Sequence, residues 1–547
     1  MRLGRLSFFG VVLAMILASD AAPAEAPGQV SAKLAAFTAA SPRCVPAHFN
    51  RSSLLPGTSV AVAPLPDSYD ASWRTQISMV GAPASAIHGV HVSGSRSGSH
   101  GGHLRGYSQG DGASFVPSRP FSPGETVSVR GRVSAAGHAR SFAYHFVVAH
   151  EDHEISAASA SGSSRNNYRQ MQHFHSAPSL LAPSIVVSAR APQASQQDIL
   201  ATPYAGAGPS GPMILDAAGN LVWFHPLPSG TQATNLQVQQ LGSTPVLTWW
   251  QGSIVMQGFG QGEEVIESAS YNQIGRVHAG NGLKADLHDF RLTARGTGLM
   301  TVFNPIACDL SAYGGQSGAS VTDGVVQEVD LKTGLVRREW HSLDHVSPSD
   351  SYSSPARSDG RWPFDYFHVN SIAELANGRT LISARNTSAL YELNATTGQV
   401  VRRIGGKRST VRLGGGAATA YQHDARVLAN GTISVFDNGG VPKVHSQSRG
   451  LILSVDAQHR TDTVVAQFEH SSSLFAGSQG SMQVLDGGNV FLGWGAKPYF
   501  TEFSAQGKLL FDAHMHGTYQ SYRAYRAAWA GQPRDAPAIA ASAGLGK

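Results

Sequence analysis

The chain has 547 residues, of which only 14 % are Asp, Glu, Lys or Arg, and it carries a formal charge of +5. That length implies two to four domains. The basic excess is scattered Arg rather than a Lys/Arg run with interleaved aromatics, which argues against nucleic acid as a partner. The 60 glycines and the short alternating runs broken by Gly, Asn and Asp argue against a helical fold.

The first 24 residues read as a secretory signal peptide. A basic MRLGRL start is followed by an apolar stretch from about Leu6 to Ala18, and Ala22-Pro23-Ala24 supplies an A-x-A cleavage site. An uncleaved anchor is the alternative. No other segment is apolar enough to span a bilayer, so a protein exported to a periplasm or beyond the cell is expected, with no membrane span after signal removal. The two cysteines, Cys44 and Cys308, are expected either to bridge, as an oxidising compartment permits, or to remain as two buried thiols.

Residues 45–150 are rich in Val, Ser, Gly and Pro. Candidate strands there are Thr75 to Val80, Val90 to Ser93, Thr126 to Val133 and Ser141 to Val148, which predicts a small β-sandwich. His100 and His103 fall in SGSRSGSHGGHLRG, read as a solvated loop, with adventitious metal binding as the other reading. Residues 151–182 are polar and of low complexity and read as a linker.

From 183 to 530 two elements recur. One is a hairpin with an Asn-Gly turn, the strongest short-range hairpin signal: HVNSIAELANGRTLISARN (His368 to Asn386) and HDARVLANGTISVFDNG (His423 to Gly439). LHDFRLTARGTGLMTVFN, from Leu287, is a less regular copy that places His288 where the other has His423. GSQGSMQVLDGGNVFLGWG, from Gly477, has Gln479 or Gly480 there. The second element is strand–turn–strand, as in VQEVDLKTGLVRREWH from Val326 and LYELNATTGQVVRRIGG from Leu390. Two hairpins in series make a four-stranded antiparallel unit. Units about 55 residues apart predict a six-bladed β-propeller, with blades starting near 183, 234, 286, 366, 421 and 477. Insertions are expected at about 309–322 and 346–364, and residues 531–547 read as a disordered tail.

Counting outward from two-residue turns places Asn370 opposite Arg385 and His423 opposite Asn438. In a propeller the first strand of each blade lines the axis. His288, Asn370 and His423 then form a ring, with His368 one pleat further along and Arg385 and Asn438 across from it. Neutral imidazole is a nucleophile and a general base, and guanidinium is a permanent cation with a donor fork suited to oxyanions. Together they match transfer of a small anionic group, sulfuryl or phosphoryl, through a histidine intermediate. No Walker loop is present, which argues against nucleotide-dependent transfer, and no cofactor is expected.

The segments DLHDF, YFHVNSI, LISARNT, IGGKRS, QHDARVLANGTISVFDNG, AGSQGSMQVL and VFLGWGAKPYFTEFS resemble the bacterial arylsulfotransferase family, in its secreted branch with an extra N-terminal β-domain. The resemblance runs over most of residues 175 to 530. It implies a six-bladed propeller that moves sulfate from an aryl sulfate donor to a phenolic acceptor, by a ping-pong route through sulfohistidine and without phosphoadenosyl-phosphosulfate. By motif, His423 would be the nucleophile and His288 the acid/base. His368, Asn370 and Arg385 would hold the sulfuryl oxygens, and Asn438 counts with Asn370 as substrate-binding.

Two other readings compete. Three histidines from different blades suit Fe(II) or Zn(II) with an open position, as in propeller oxygenases, although Arg385 would repel the ion. A non-catalytic cell-surface binding propeller is the third; Trp249, Trp250, Trp362, Trp494 and Tyr499 are candidates to line an aryl-binding funnel, with buried blade packing the expected role for most of them.

Overall fold

A computed structural model describes residues 42–135, 138–152, 171–175, 177–255, 258–357, 362–376 and 378–532. The predicted signal peptide, most of the predicted linker and nearly all of the predicted tail lie outside the described residues. Within them the protein is all-β: strands dominate, and the α-helix is a single turn, Ser342–His345. No helix among the described residues is long and apolar enough to cross a membrane.

Between residues 61 and 147 the chain forms two four-stranded antiparallel sheets. Strand Thr126–Ala135 explains how: Val127, Val129, Gly131 and Val133 face inward while Ser128, Arg130 and Arg132 face solvent, the period-two pattern of a half-buried strand. The three valines share a core with Ile77, Met79, Phe115 and Phe146. Each buried valine contributes about 1.5–3 kcal/mol relative to exposure. The stretch around His100 and His103 is not a loop. It forms strands Gly98–His100 and Gly102–Gly106, with His100 buried against Ser97 Oγ (2.7 Å) and its ring tilted against that of Phe121 (centroids 4.3 Å apart). Its apolar residues are too few to alternate, so the sequence pattern conceals the strands.

Strands Met171–Phe174 and Ala177–Pro183, at the end of the expected linker (151–182), pair as a two-stranded ladder. Beyond them, the strands form antiparallel groups of four, each made of consecutive hairpins. The groups start with Gln232–Leu241, Ala285–Leu292, Val369–Leu375, His423–Val427 and Ser481–Val484. The first two are also joined by a single bridge, Gly262 to Ala285. A further group combines both ends of this region: the C-terminal strand Gln520–Ala527 pairs with Asp198–Tyr204, which continues to Met213–Leu215 and Leu221–Phe224. Strand Ile185–Arg190, expected to open the first unit, instead adds to the outer edge of the last, against Leu509–Met515. The six leading strands touch in a closed series, 520–527 to 232–241 to 285–292 to 369–375 to 423–427 to 481–484 and back to 520–527.

At the centre of that series is a buried ionic network. Arg426 reaches both carboxylate oxygens of Asp289 (2.7 and 3.0 Å) and Asp424 (2.7 Å), and Arg523 donates to Asp289 (3.0 Å). Asp289 also accepts the Ile372 amide (2.7 Å), and Asp424 accepts the Tyr525 hydroxyl (3.0 Å) and the Met482 amide (3.2 Å). In both His-Asp motifs the aspartate thus ties leading strands together. The guanidiniums hold the Asp289 carboxyl far below the usual carboxylate range, against the opposing effect of its burial.

Candidate active site

His423 begins its strand directly after Gln422, whose side-chain amide is anchored to Ser383 Oγ and to the Ala384 and Ala389 carbonyls. The expected register, His423 opposite Asn438, is not the observed one. The loop carries three residues, with Gly431 in the left-handed region (φ 82°), and Val427 pairs with Ile433. A bulge then absorbs Asp424 (φ 54°), so that His423 faces Phe436. The side chains of His423 and Asn438 meet nonetheless, Nδ1 to Oδ1 at 2.7 Å.

That contact settles the tautomer. Asn438 Nδ2 donates to the Ala476 and Gln479 carbonyls, both at 2.9 Å, so Oδ1 is the atom turned to the ring and can only accept. The hydrogen is therefore on His423 Nδ1, and Nε2 carries the lone pair, where it accepts the Gln479 amide at 3.2 Å. Burial, with Arg385 adding to it, holds the His423 pKa well below its ordinary value, against the opposing hydrogen bond that the ring donates to Asn438. The result is a neutral imidazole whose Nε2 lone pair is fixed in direction.

His288 and His368 approach each other from different strands, Nε2 to Nε2 at 3.0 Å. His288 sits where the ladder opens: Ala285 pairs with Val302 and Phe290 with Met300, leaving residues 286–289 bulged. Its Nδ1 is held by Asp286 at 2.5 Å, and Asp286 is itself fixed by Thr301 Oγ1 and the Gly260 amide. His368 adopts φ 59°, strained for a residue with a Cβ, and its Nδ1 meets Asp365 at 2.5 Å. Burial first, then Arg385 and His288, push the His368 pKa well below its ordinary value. A neutral His368 that gives its Nδ1–H to Asp365 has its lone pair at Nε2, facing His288. Burial raises the Asp365 carboxyl to about 6, with Arg385 opposing. Asp286, His288, His368 and Asp365 thus form a continuous hydrogen-bonded chain.

Arg385 is not opposite Asn370. The same three-residue loop shifts this hairpin by one, a bulge at Asn370 follows, and the Arg385 amide bonds to the His368 carbonyl at 2.9 Å. Asn377, half of the predicted turn, lies outside the described residues. The Arg385 guanidinium lies over the Tyr421 ring (4.9 Å), donates to Asn386 Oδ1 (3.0 Å) and reaches Asp365 (3.4 Å). Asn370 Nδ2 is anchored on the Gln422 carbonyl (2.8 Å), while its Oδ1 is buried without a partner. The Tyr522 ring packs edge-on against His288 and His423, at centroid distances of 5.3 and 6.1 Å, and its hydroxyl is also buried and unpartnered. His288, His368 and His423 are each 2 % exposed or less, and the Arg385 side chain, at 15 %, is the member that faces solvent.

Sequence reasoning missed Asp286, Asp365 and Tyr522. The first two carry a readable signal, an Asp two or three residues before each histidine (D-x-H in ADLHDF, D-x-x-H in FDYFH). Tyr522 has none, since it arrives on the C-terminal strand outside the repeats. Trp249, Trp250 and Trp494 are packed in cores rather than lining the site, where Phe303 and Tyr522 supply the aromatic faces. His288, His368 and His423 do not converge as a metal-binding group. Among the described residues Asp70, Asp323 and His341 do, elsewhere in the molecule. Cys44 and Cys308 are joined as a disulfide, with Cα atoms 5.2 Å apart.

Several solved structures resemble parts of the chain. A protein of unknown function from Bacteroides caccae shares 13 % identity over 60 % of this chain and 98 % of its own, with a TM-score of 0.35. Virginiamycin B lyase from Staphylococcus aureus shares 7 % over 60 % of this chain and 88 % of its own, at 0.30. Likeness at this level identifies no activity. No curated protein matches the sequence. A family model described as arylsulfotransferase (ASST) matches residues 237–516, just over half of the 547-residue chain and spanning His288, His368, Arg385 and His423, and the protein belongs to that family.

Proposed function

We propose that the protein is an aryl-sulfate sulfotransferase that works by a ping-pong route through a sulfohistidine on His423. The four-stranded groups are the six blades of a propeller, the paired sheets before them are an N-terminal sandwich, and the imidazoles converge at one end of the central axis. The observation that carries the reading is the fixed tautomer of His423, whose neutral Nε2 lone pair is presented by Asn438. In the first half-reaction Nε2 attacks sulfur, the S–O(aryl) bond breaks, and the leaving phenolate takes the proton held between His288 and His368. In the second, a phenolic acceptor returns a proton to that pair and attacks sulfur as the N–S bond breaks.

The Asp–His–His–Asp chain supports this cycle, because a proton can be lent and recovered without entering solvent. Arg385, as the solvent-facing cation, offers its guanidinium to the sulfuryl oxygens as the donor arrives, with Asn370 beside it. Before attack, Nε2 gives up its hydrogen bond from the Gln479 amide, which costs about 1 kcal/mol. The Cys44–Cys308 disulfide suits an exported protein, in keeping with the signal sequence.

The test is incubation with a chromogenic aryl sulfate, with and without phenol. Acceptor-stimulated phenol release with parallel-line kinetics, lost in both His423→Ala and His423→Asn, is the expected result. Turnover that survives either substitution rejects His423 as the nucleophile.

A further inference from the structure

Outside the histidine ring, the N-terminal sheets meet the later strands at a second polar cluster that the sulfuryl-transfer reading leaves unused. Asp70 comes from the N-terminal region, and Asp323, Glu339, His341 and Asp344 from the segment 319–345. All their side chains are buried, Asp70 to 1 % exposure and Asp323 to 0 %. Asp323 is oriented by Ser342 Oγ (2.8 Å) and the Leu343 amide (3.2 Å), and its Oδ2 meets His341 Nδ1 at 2.5 Å. His341 Nε2 meets Glu339 at 3.1 Å, and Asp70 Oδ2 stands 3.9 Å from Nδ1.

The cluster is short of positive charge. Four carboxylates share His341 and one further cation, Arg51, whose Nη2 lies 3.6 Å from Asp344. Both oxygens of Asp70, and Oδ1 of Asp344, are buried with no hydrogen-bond partner. An ionised carboxylate desolvated in this way is costly unless a proton or a cation neutralises it. The ligand atoms of Asp70, Asp323 and His341 all lie within 4.8 Å of one another, which is close enough to share one ion. Glu339 accepts the Nε2–H of His341, the place of the outer carboxylate that fixes a metal-binding histidine, and Nδ1, which meets Asp323 in the metal-free protein, ligates once an ion displaces its proton. Glu339, His341 and Asp344 also border a cavity of about 370 Å³ at the junction, which provides an entry path.

We infer that Asp70, Asp323 and His341 form a divalent-metal site that ties the N-terminal sheets to the later domain. One imidazole nitrogen among carboxylate oxygens is a donor set for a first-row transition ion, Zn(II) foremost, rather than Ca(II), which takes oxygen alone. Asp70 is the residue on which the tie depends, because it is the ligand contributed across the junction.

The test is metal content. Full-length protein is stripped with chelator and offered Zn(II) or Ca(II) separately, and bound metal is measured after gel filtration together with the thermal midpoint. One equivalent of Zn(II), a raised midpoint, and retention weakened by roughly tenfold or more in Asp70→Asn are expected. His288→Asn, which leaves this cluster intact, keeps the ion and so separates this site from the histidine ring. Asp323→Asn is a second variant should Asp70→Asn not fold. Wild-type protein that retains no equivalent of Zn(II), or retains Ca(II) in preference, overturns the inference, as does unchanged Zn(II) retention in a folded Asp70→Asn.

Discussion

Replacing Asn438 with Asp exchanges a neutral acceptor for a charged one 2.7 Å from His423 Nδ1. The new carboxylate still accepts the Nδ1–H, so the tautomer survives, but it now favours the imidazolium. At that separation and an effective dielectric constant of ~20, the attraction is about 6 kcal/mol. The cost of burying the new charge, and the loss of both donor bonds to the Ala476 and Gln479 carbonyls, offset much of it. A rise in the His423 pKa of about 1–3 pH units remains. His423 in the native protein is held well below its ordinary value by burial, so its nucleophilic form persists below pH 6.5. In Asn438→Asp the acid limb of kcat/KM, measured with a chromogenic aryl sulfate from pH 5 to 9, moves to higher pH, and an NMR titration of the His423 ring moves with it. A folded Asn438→Asp enzyme whose acid limb and ring titration both stay in place refutes the reasoning that Asn438 sets the state of His423.

Asp289→Asn leaves Arg523 and Arg426 short of their shared buried carboxylate, and chemical denaturation is expected to show a loss of about 3–5 kcal/mol. A loss below about 1 kcal/mol would mean that the network does not hold the leading strands. A histidine whose folded pKa is depressed stabilises the fold above its unfolded value, near 6.5, and loses that contribution as pH falls through it, because the unfolded chain then binds the proton. The stability advantage of wild type over His423→Asn therefore shrinks by about 1 kcal/mol between pH 7 and 5.5, and a constant difference across that window contradicts a neutral buried ring. The disulfide closes a loop with a sequence separation of 264, so Cys44→Ser with Cys308→Ser lowers stability by about 5–6 kcal/mol on the chain-entropy account. Equal midpoints for the oxidised and substituted proteins would argue against it.

Much of the site was legible because its chemistry sits in repeated hairpins. Aligning the His-Asp dipeptides picked out His288 and His423, and the fold puts their aspartates, Asp289 and Asp424, into one ionic network. The register was misread for a definite reason. An Asn-Gly pair signals a turn without fixing whether two or three residues close it, and here three do, in both hairpins. Each loop shifts the pairing by one, and each is followed by a bulge that no propensity marks, so contacts beyond the bulge cannot be counted from the turn. His423 still reaches Asn438 because side chains span the displaced residue, whereas Asn370 turns to the Gln422 carbonyl and leaves Arg385 to His368. The carboxylates behind His288 and His368 were readable as D-x-H and D-x-x-H. Tyr522 was not, because which strand completes a closed series depends on where the chain returns, and local pattern carries no trace of that.

The most direct measurement of the central claim is where the sulfuryl group rests between half-reactions. Protein given an aryl sulfate without acceptor, quenched under mildly alkaline conditions and mapped by peptide mass spectrometry, is predicted to carry one sulfuryl group on His423, discharged on addition of phenol. A sulfuryl group found on His288 or His368, or full turnover with none on His423, would contradict the account.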